Sequence, residues 1–159
     1  MQITPQSLAQ RLEKEGHKTI DFFRQLTPEQ WSLQVYSDGA AWTVHDLFVH
    51  FFESENSVPR LVRGILEGGP GVSDDFDLDR YNESHVSKLV GLTPSELLER
   101  FAQQRAETVA FVSGLNQTDL EKTGRHPFLG IAPVGEMLKL MYLHLQLHLR
   151  DIKRVLEAA

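Results

Sequence analysis

The stretch Leu143-His144-Leu145-Gln146-Leu147-His148-Leu149-Arg150-Asp151 constrains the fold of this chain more than any other. Its strict alternation of leucine with other residues is a strand signature. Composition points the other way. From Val134 to Ala159 there is one glycine near the start and no proline, and Leu, Met, Gln, Lys, Glu and Arg, all good helix formers, fill the segment. One helix over about 134–157 is therefore expected, opened by Pro133 at its first turn. On that helix Met137, Leu140, Met141, His144, His148, Asp151, Ile152 and Val155 form a single stripe at i, i+3, i+4, i+7 spacing. His144 and His148 stand one turn apart, roughly 5–6 Å between Cβ atoms, and point the same way. Leucines on nearly every side predict deep burial, where an imidazole needs a partner. Two imidazoles at i, i+4 are also a standard grip on a transition metal.

Three further long helices are marked by their starts. Thr4-Pro5 opens a helix over about 5–26, with Leu8, Leu12, Ile20, Phe23 and Leu26 inward and His17 on the surface. Thr27-Pro28-Glu29-Gln30 caps a short turn ending at Trp31, and a loop over 37–41 leads to Trp42. Thr43-Val44-His45-Asp46 is a second capping box, starting a helix over about 44–67 whose stripe is Val44, Leu47, Phe48, Phe51, Val58, Val62, Ile65 and Leu66. Pro59 should kink or restart that helix, since it removes a backbone donor. Residues 68–78, beginning Gly-Gly-Pro-Gly, read as a flexible acidic crossover between distant helix ends, followed by a short helix over about 79–89. Thr93-Pro94-Ser95-Glu96 starts a helix over 94–113 through Leu97, Leu98, Phe101, Thr108, Val109 and Val112. Asn116-Gln117-Thr118-Asp119 starts one more turn, and 123–130 reads as a loop. No strand is expected. The fold class is all-α, a four-helix bundle with a long crossover, in one domain spanning 1–159.

Composition narrows the partners. The net charge of −6, with no basic face, argues against nucleic acid. The chain has no cysteine, hence no disulfide, no thiolate nucleophile and no cysteine-based zinc knuckle, so any thiol in the chemistry must come from outside. The N-terminus lacks a signal-peptide pattern, and no apolar run approaches the ~20 residues that span a bilayer. A cytoplasmic location, no membrane and a small-molecule partner are the expectations, with a homodimer left open.

A metal on His144 and His148 needs at least one more ligand. His50, at the edge of an apolar stripe, is the best candidate; His45, in the first turn, is expected to be exposed. His126 sits beside proline where it could line a pocket mouth, and His85 has no supporting pattern. The residues alone equally allow two core histidines satisfied by Asp151, Glu55 or backbone. Glu55, between Phe51 and Val58, and Asp151, one turn beyond His148, are carboxylates on apolar stripes. Either could orient an imidazole or act as a base; a salt bridge to Arg150 or another arginine is the alternative.

Trp42-Thr43-Val44-His45-Asp46-Leu47-Phe48-Val49-His50-Phe51-Phe52-Glu53-Ser54-Glu55 resembles the W-[ST]-V-x-[DE]-L-x-x-H-L-x-x-x-E signature of the DinB/YfiT-like superfamily. His126-Pro127 with Gly130 resembles the segment before that family's last helix, and His144-x-x-x-His148-Leu-Arg-Asp-Ile resembles its closing motif. The resemblance implies a four-helix bundle with a crossover and a divalent metal on three histidines, at positions matching His50, His144 and His148. Phe51-Phe52 departs from the commoner small pair and should narrow the pocket. Zinc or nickel is the first expectation, then ferrous iron. Such a site lowers the pKa of a thiol or of water, and the family includes thiol-dependent transferases and the mycothiol-dependent maleylpyruvate isomerase branch. A metal-dependent enzyme using a low-molecular-weight thiol, as transferase or isomerase, is the leading expectation. A hydrolase acting through water and a non-catalytic metal or small-ligand binder are the alternatives. The expected pocket lies between the second and last long helices, with Trp42, Phe52 or Tyr142 and the 126–130 loop as walls.

Overall fold

The computed structural model describes residues 2–159. Its elements are α1 (Pro5–Arg24), α2 (Pro28–Trp31), α3 (Val44–Leu66), α4 (Leu78–Leu89), α5 (Pro94–Ser113), α6 (Gln117–Glu121), β1 (Thr123–His126), β2 (Gly130–Pro133) and α7 (Val134–Ala158). α1, α2, α3 and α5 begin where the sequence places them because their caps form, while α7 starts after Pro133 with no side-chain cap. Thr4, Thr27, Thr43 and Thr93 each accept the N–H three residues on, while that residue's side chain accepts the threonine's own N–H. Each cap satisfies donors that a helix start otherwise leaves open.

α1, α3, α5 and α7 form a four-helix bundle in which α1 and α3 each pack on α5 and α7. Ring contacts join Phe23 of α1, Phe48 of α3 and Phe101 of α5 at one end. At the other end Gln117 donates to the Ile3 carbonyl. α1 and α7 therefore run one way, α3 and α5 the other. The parallel pair α3–α5 requires the expected crossover, and α4 carries it back along α3. His45 Nε2 meets the Leu92 carbonyl at 2.7 Å where that crossover ends, so His45 is half-buried rather than exposed.

Five expectations are corrected. The segment before α7 is a small antiparallel hairpin, β1–β2, with Gly130 at φ 70° closing its turn. Its signal was the pair Pro127 and Gly130, which the missing alternation of so short a strand concealed. Residues 70–72 are not a free connection: Arg125 N–H donates to the Pro70 carbonyl at 2.8 Å, and Val72 N–H to the Arg125 carbonyl at 2.9 Å. Of the kink or restart expected at Pro59, the restart does not occur: α3 continues as one helix, held by buried Phe48 and Phe51 on one side and Val62 and Ile65 on the other. α7 is not buried all round, since Leu143 and Leu147 are exposed. Phe52 packs in the core, Tyr142 lies under Arg11 and Trp42 leans on His50 from outside the lining, so none of the three walls the pocket. Among the described residues no helix is long and apolar enough to cross a membrane.

The core has two apolar clusters, one around Phe23, Phe48, Phe51 and Phe101 and one around Leu12, Val62, Val112 and Met137. Between them along the helices lie Glu55 and Arg105, both almost fully buried.

Candidate metal centre

His50 is the seventh residue of α3, and its stripe faces α7. Because α7 runs antiparallel, its two histidines meet His50 near one level of the bundle. The Nε2 atoms converge: His148 to His144 at 2.9 Å, His50 to His144 at 3.3 Å. One nitrogen from each of the three rings lies within 4.8 Å of the others. The rings stand nearly edge to face, with interplanar angles of 88°, 89° and 81°. His50 is buried, His144 and His148 half-buried. Trp42 leans over His50 with centroids 5.1 Å apart.

Tyr36, which sequence reasoning missed, decides the protonation of His148. Its hydroxyl donates to Asp151 Oδ2 at 2.8 Å and lies 2.8 Å from His148 Nδ1. The hydroxyl has one proton and the carboxylate takes it, so the oxygen accepts from His148 Nδ1–H. A neutral His148 then has a bare lone pair on Nε2, aimed at His144. Asp151 thus acts on the imidazole through Tyr36, one atom further away than expected. Burial and the hydrogen bond to Asp151 push the Tyr36 pKa up, keeping the phenol protonated. No periodicity marked Tyr36, because it lies in the 33–43 loop. That loop is folded back by Val35 N–H to the Trp42 carbonyl and Val44 N–H to the Leu33 carbonyl, both 2.9 Å.

Desolvation and the neighbouring rings keep the trio neutral. Burial first, then the charges of His144 and His148, lower the His50 pKa to about 3. Burial, then His148 and His126, lower His144 to about 4. Burial lowers His148 as well, against an opposing pull from Asp151. Neutral imidazole is the form that ligates.

The donor set fits a divalent transition ion. Nitrogens about 2.0–2.1 Å from a shared ion lie about 2.9–3.4 Å apart for angles between 90° and tetrahedral; the two separations to His144, 2.9 and 3.3 Å, fall in that range, and His50 and His148 lie within 4.8 Å of each other. Without an ion, His144 Nε2–H can donate to the bare His148 Nε2; a divalent ion would take the place of that proton.

Glu55 lines the same cavity as the trio but makes its hydrogen bonds elsewhere. Arg105 grips it bidentately, Nε to Oε1 at 2.7 Å and Nη2 to Oε2 at 2.8 Å, and Nη1 donates to the Leu12 carbonyl at 2.8 Å. With both oxygens taken by a guanidinium, Glu55 is not placed to act as a base or to orient a ring. The signal for Arg105 was present: it lies between Phe101 and Thr108 on the stripe of α5, a basic residue as out of place as Glu55. Asp151 makes only a long 4.0 Å approach to Arg150. His85 stacks on Tyr81 with centroids 3.8 Å apart, and His17 is exposed.

The histidines form one end of a cavity of about 610 Å³. Its walls include Val58, Leu61, Met141 and Leu147, the hairpin residues His126, Pro127 and Phe128, and Tyr81 and Asn82 of α4. The volume suits a small organic molecule, and the mostly apolar wall with a few polar groups is typical of such sites.

Similarity to known proteins agrees with this architecture. YfiT from Bacillus subtilis, described as a probable metal-dependent hydrolase with an unusual four-helix bundle topology, superposes with a TM-score of 0.76 at 20 % identity, over 95 % of this chain and 85 % of that one. The mycothiol-dependent maleylpyruvate isomerase superposes with a TM-score of 0.72 at 12 % identity, over 93 % of this chain but 59 % of that one. No curated protein sequence is significantly similar. The DinB superfamily is matched over residues 11–152. By that match the chain belongs to the DinB superfamily.

Proposed function

We propose that the chain is a divalent-metal enzyme in which His50, His144 and His148 hold the ion and the adjoining cavity brings an external low-molecular-weight thiol to a small electrophile, as a transferase or isomerase. The observation that carries this is the meeting of three neutral Nε2 atoms at one end of a 610 Å³ cavity. An ion held by three uncharged ligands keeps its charge and supplies Lewis acidity, which favours thiolate over thiol and hydroxide over water near neutral pH. Zinc, nickel and ferrous iron all suit imidazole ligands.

The chain's own residues do the positioning. Asp151 holds Tyr36, and Tyr36 holds the Nδ1–H of His148, so the ring stays in the tautomer with its Nε2 lone pair forward. Trp42 and Phe51 flank the imidazoles and limit water on that side. The apolar cavity wall accepts the body of the substrate.

The likeness to YfiT, which extends over most of both chains, supports a second reading: a hydrolase in which water takes the place of the thiol. One assay separates the two. Metal-free protein is reloaded with zinc, nickel or ferrous iron and offered an activated aryl chloride with mycothiol, cysteine or glutathione, and separately a p-nitrophenyl ester with no thiol. Thiol-dependent turnover that a chelator stops and His144→Ala abolishes supports the first reading. Turnover of the ester alone supports the second. A protein that binds metal and turns over neither is a non-catalytic binder.

A further inference from the structure

We propose that His126 is a substrate-binding residue that presents an Nε2–H donor to the cavity and grips a carbonyl or carboxylate oxygen on an otherwise apolar substrate. This rests on reading the cavity as a substrate site and adds the class of substrate to it.

His126 closes β1 and is only 7 % exposed. Its Nδ1 accepts two backbone donors of the hairpin turn, Phe128 N–H at 3.0 Å and Leu129 N–H at 3.2 Å. A ring nitrogen that accepts N–H groups carries no proton, so the single proton of the neutral ring is on Nε2. Among the described residues no hydrogen bond engages Nε2, yet no buried side-chain nitrogen or oxygen lacks a partner. Nε2 therefore opens onto accessible space, and the space that His126 lines is the cavity.

The same geometry separates His126 from the metal trio. His50, His144 and His148 turn their Nε2 atoms toward one another, whereas His126 has spent its lone pair on the turn. Ligation would require it to give up two backbone hydrogen bonds or its Nε2 proton. The turn is stiff: Pro127 fixes one φ, and Gly130 takes φ 70°. A donor in a wall that is largely apolar, with Val58, Leu61, Met141 and Leu147 beside the polar Asn82 and Arg150, orients an acceptor oxygen while most of the ligand meets hydrocarbon. That donor selects an acceptor oxygen.

Two substitutions isolate the donor. His126→Asn retains an acceptor oxygen for the turn, as asparagine commonly does, but puts no donor in the cavity. His126→Gln reaches further and restores an N–H. Zinc-loaded protein is titrated with benzoate by calorimetry. Wild type should bind; His126→Asn should bind about tenfold or more weakly, as expected for loss of a charge-assisted hydrogen bond; His126→Gln should recover part of the loss. Zinc content and Tm should match in all three. Long-range ¹⁵N spectra should show Nε2 protonated in His126 with and without zinc. Benzoate that fails to bind wild type, equal affinities in wild type and His126→Asn, or a ring protonated on Nδ1 or bound to zinc would each overturn the proposal. Should wild type bind no zinc, the metal reading falls separately, and the tautomer and benzoate affinity of the metal-free protein still decide the role of His126.

Discussion

Two polar groups interrupt the apolar interior, and they are built on opposite principles. Glu55, Arg105 and the Leu12 carbonyl form a closed set: every charge has an opposite charge, and three guanidinium donors meet three acceptors. His50, five residues before Glu55 on α3, forms with His144 and His148 an open set: neutral rings whose Nε2 atoms meet at 2.9 and 3.3 Å. The closed set completes the bundle. The open set has the form that a cation would complete. Burial of polar residues alone does not separate structure from function; the balance of protons and lone pairs does.

The largest expected effect is on the closed set. Arg105→Met leaves Glu55 buried without its partner, and urea unfolding should show a loss of about 3–5 kcal/mol. The double variant Glu55→Leu with Arg105→Met should regain much of that loss, because two charges then leave together. A small effect of Arg105→Met alone would break the contrast between the regions.

The open set should respond to metal instead. Zinc at a hundred times its dissociation constant should stabilise the wild type by about 2.7 kcal/mol, and His144→Ala not at all. Metal-free His144→Ala should unfold close to the metal-free wild type, which differential scanning calorimetry reads directly. Next in size is Tyr36→Phe, which leaves His148 Nδ1 and Asp151 without their shared hydroxyl. Metal affinity should fall about 10–100-fold, measured by competition with a chromophoric chelator, while helix content by circular dichroism is unchanged.

The smallest effect is in pH dependence. The His50 and His144 pKa values are held at about 3 and about 4, below the unfolded value of 6.5. Between those limits the unfolded chain binds protons that the folded chain refuses. Stability of the metal-free protein is therefore full above pH 6.5 and falls as pH drops toward 4, by at most about 1.4 kcal/mol per pH unit for each ring. His50→Phe should flatten that slope by one ring's share in urea titrations across this range. A slope equal to the wild type's would show that His50 charges freely in the folded state.

Much of this was legible in the residues, for reasons that differ by element. Four threonine caps and four apolar stripes mark the helices because both signals are local. His50, His144 and His148 stood out because stripes place them inward. Tyr36 did not, since it belongs to a loop whose position depends on backbone bonds to Trp42 and Leu33. The fate of Glu55 was half-legible: its place on the stripe demanded a partner, but only the packing of α3 against α5 chose Arg105 over a histidine. Leu143 and Leu147 show the limit of periodicity, which gives a helix its faces but not how far its neighbours wrap around it.

The most direct test of the open histidine set is zinc K-edge X-ray absorption on the metal-free protein reloaded with one equivalent of zinc. The geometry predicts three imidazole nitrogens at about 2.0–2.1 Å, joined by one or two solvent oxygens, and loss of one imidazole in His50→Ala. A zinc shell with fewer than three imidazoles, or one unchanged in His50→Ala, would contradict it.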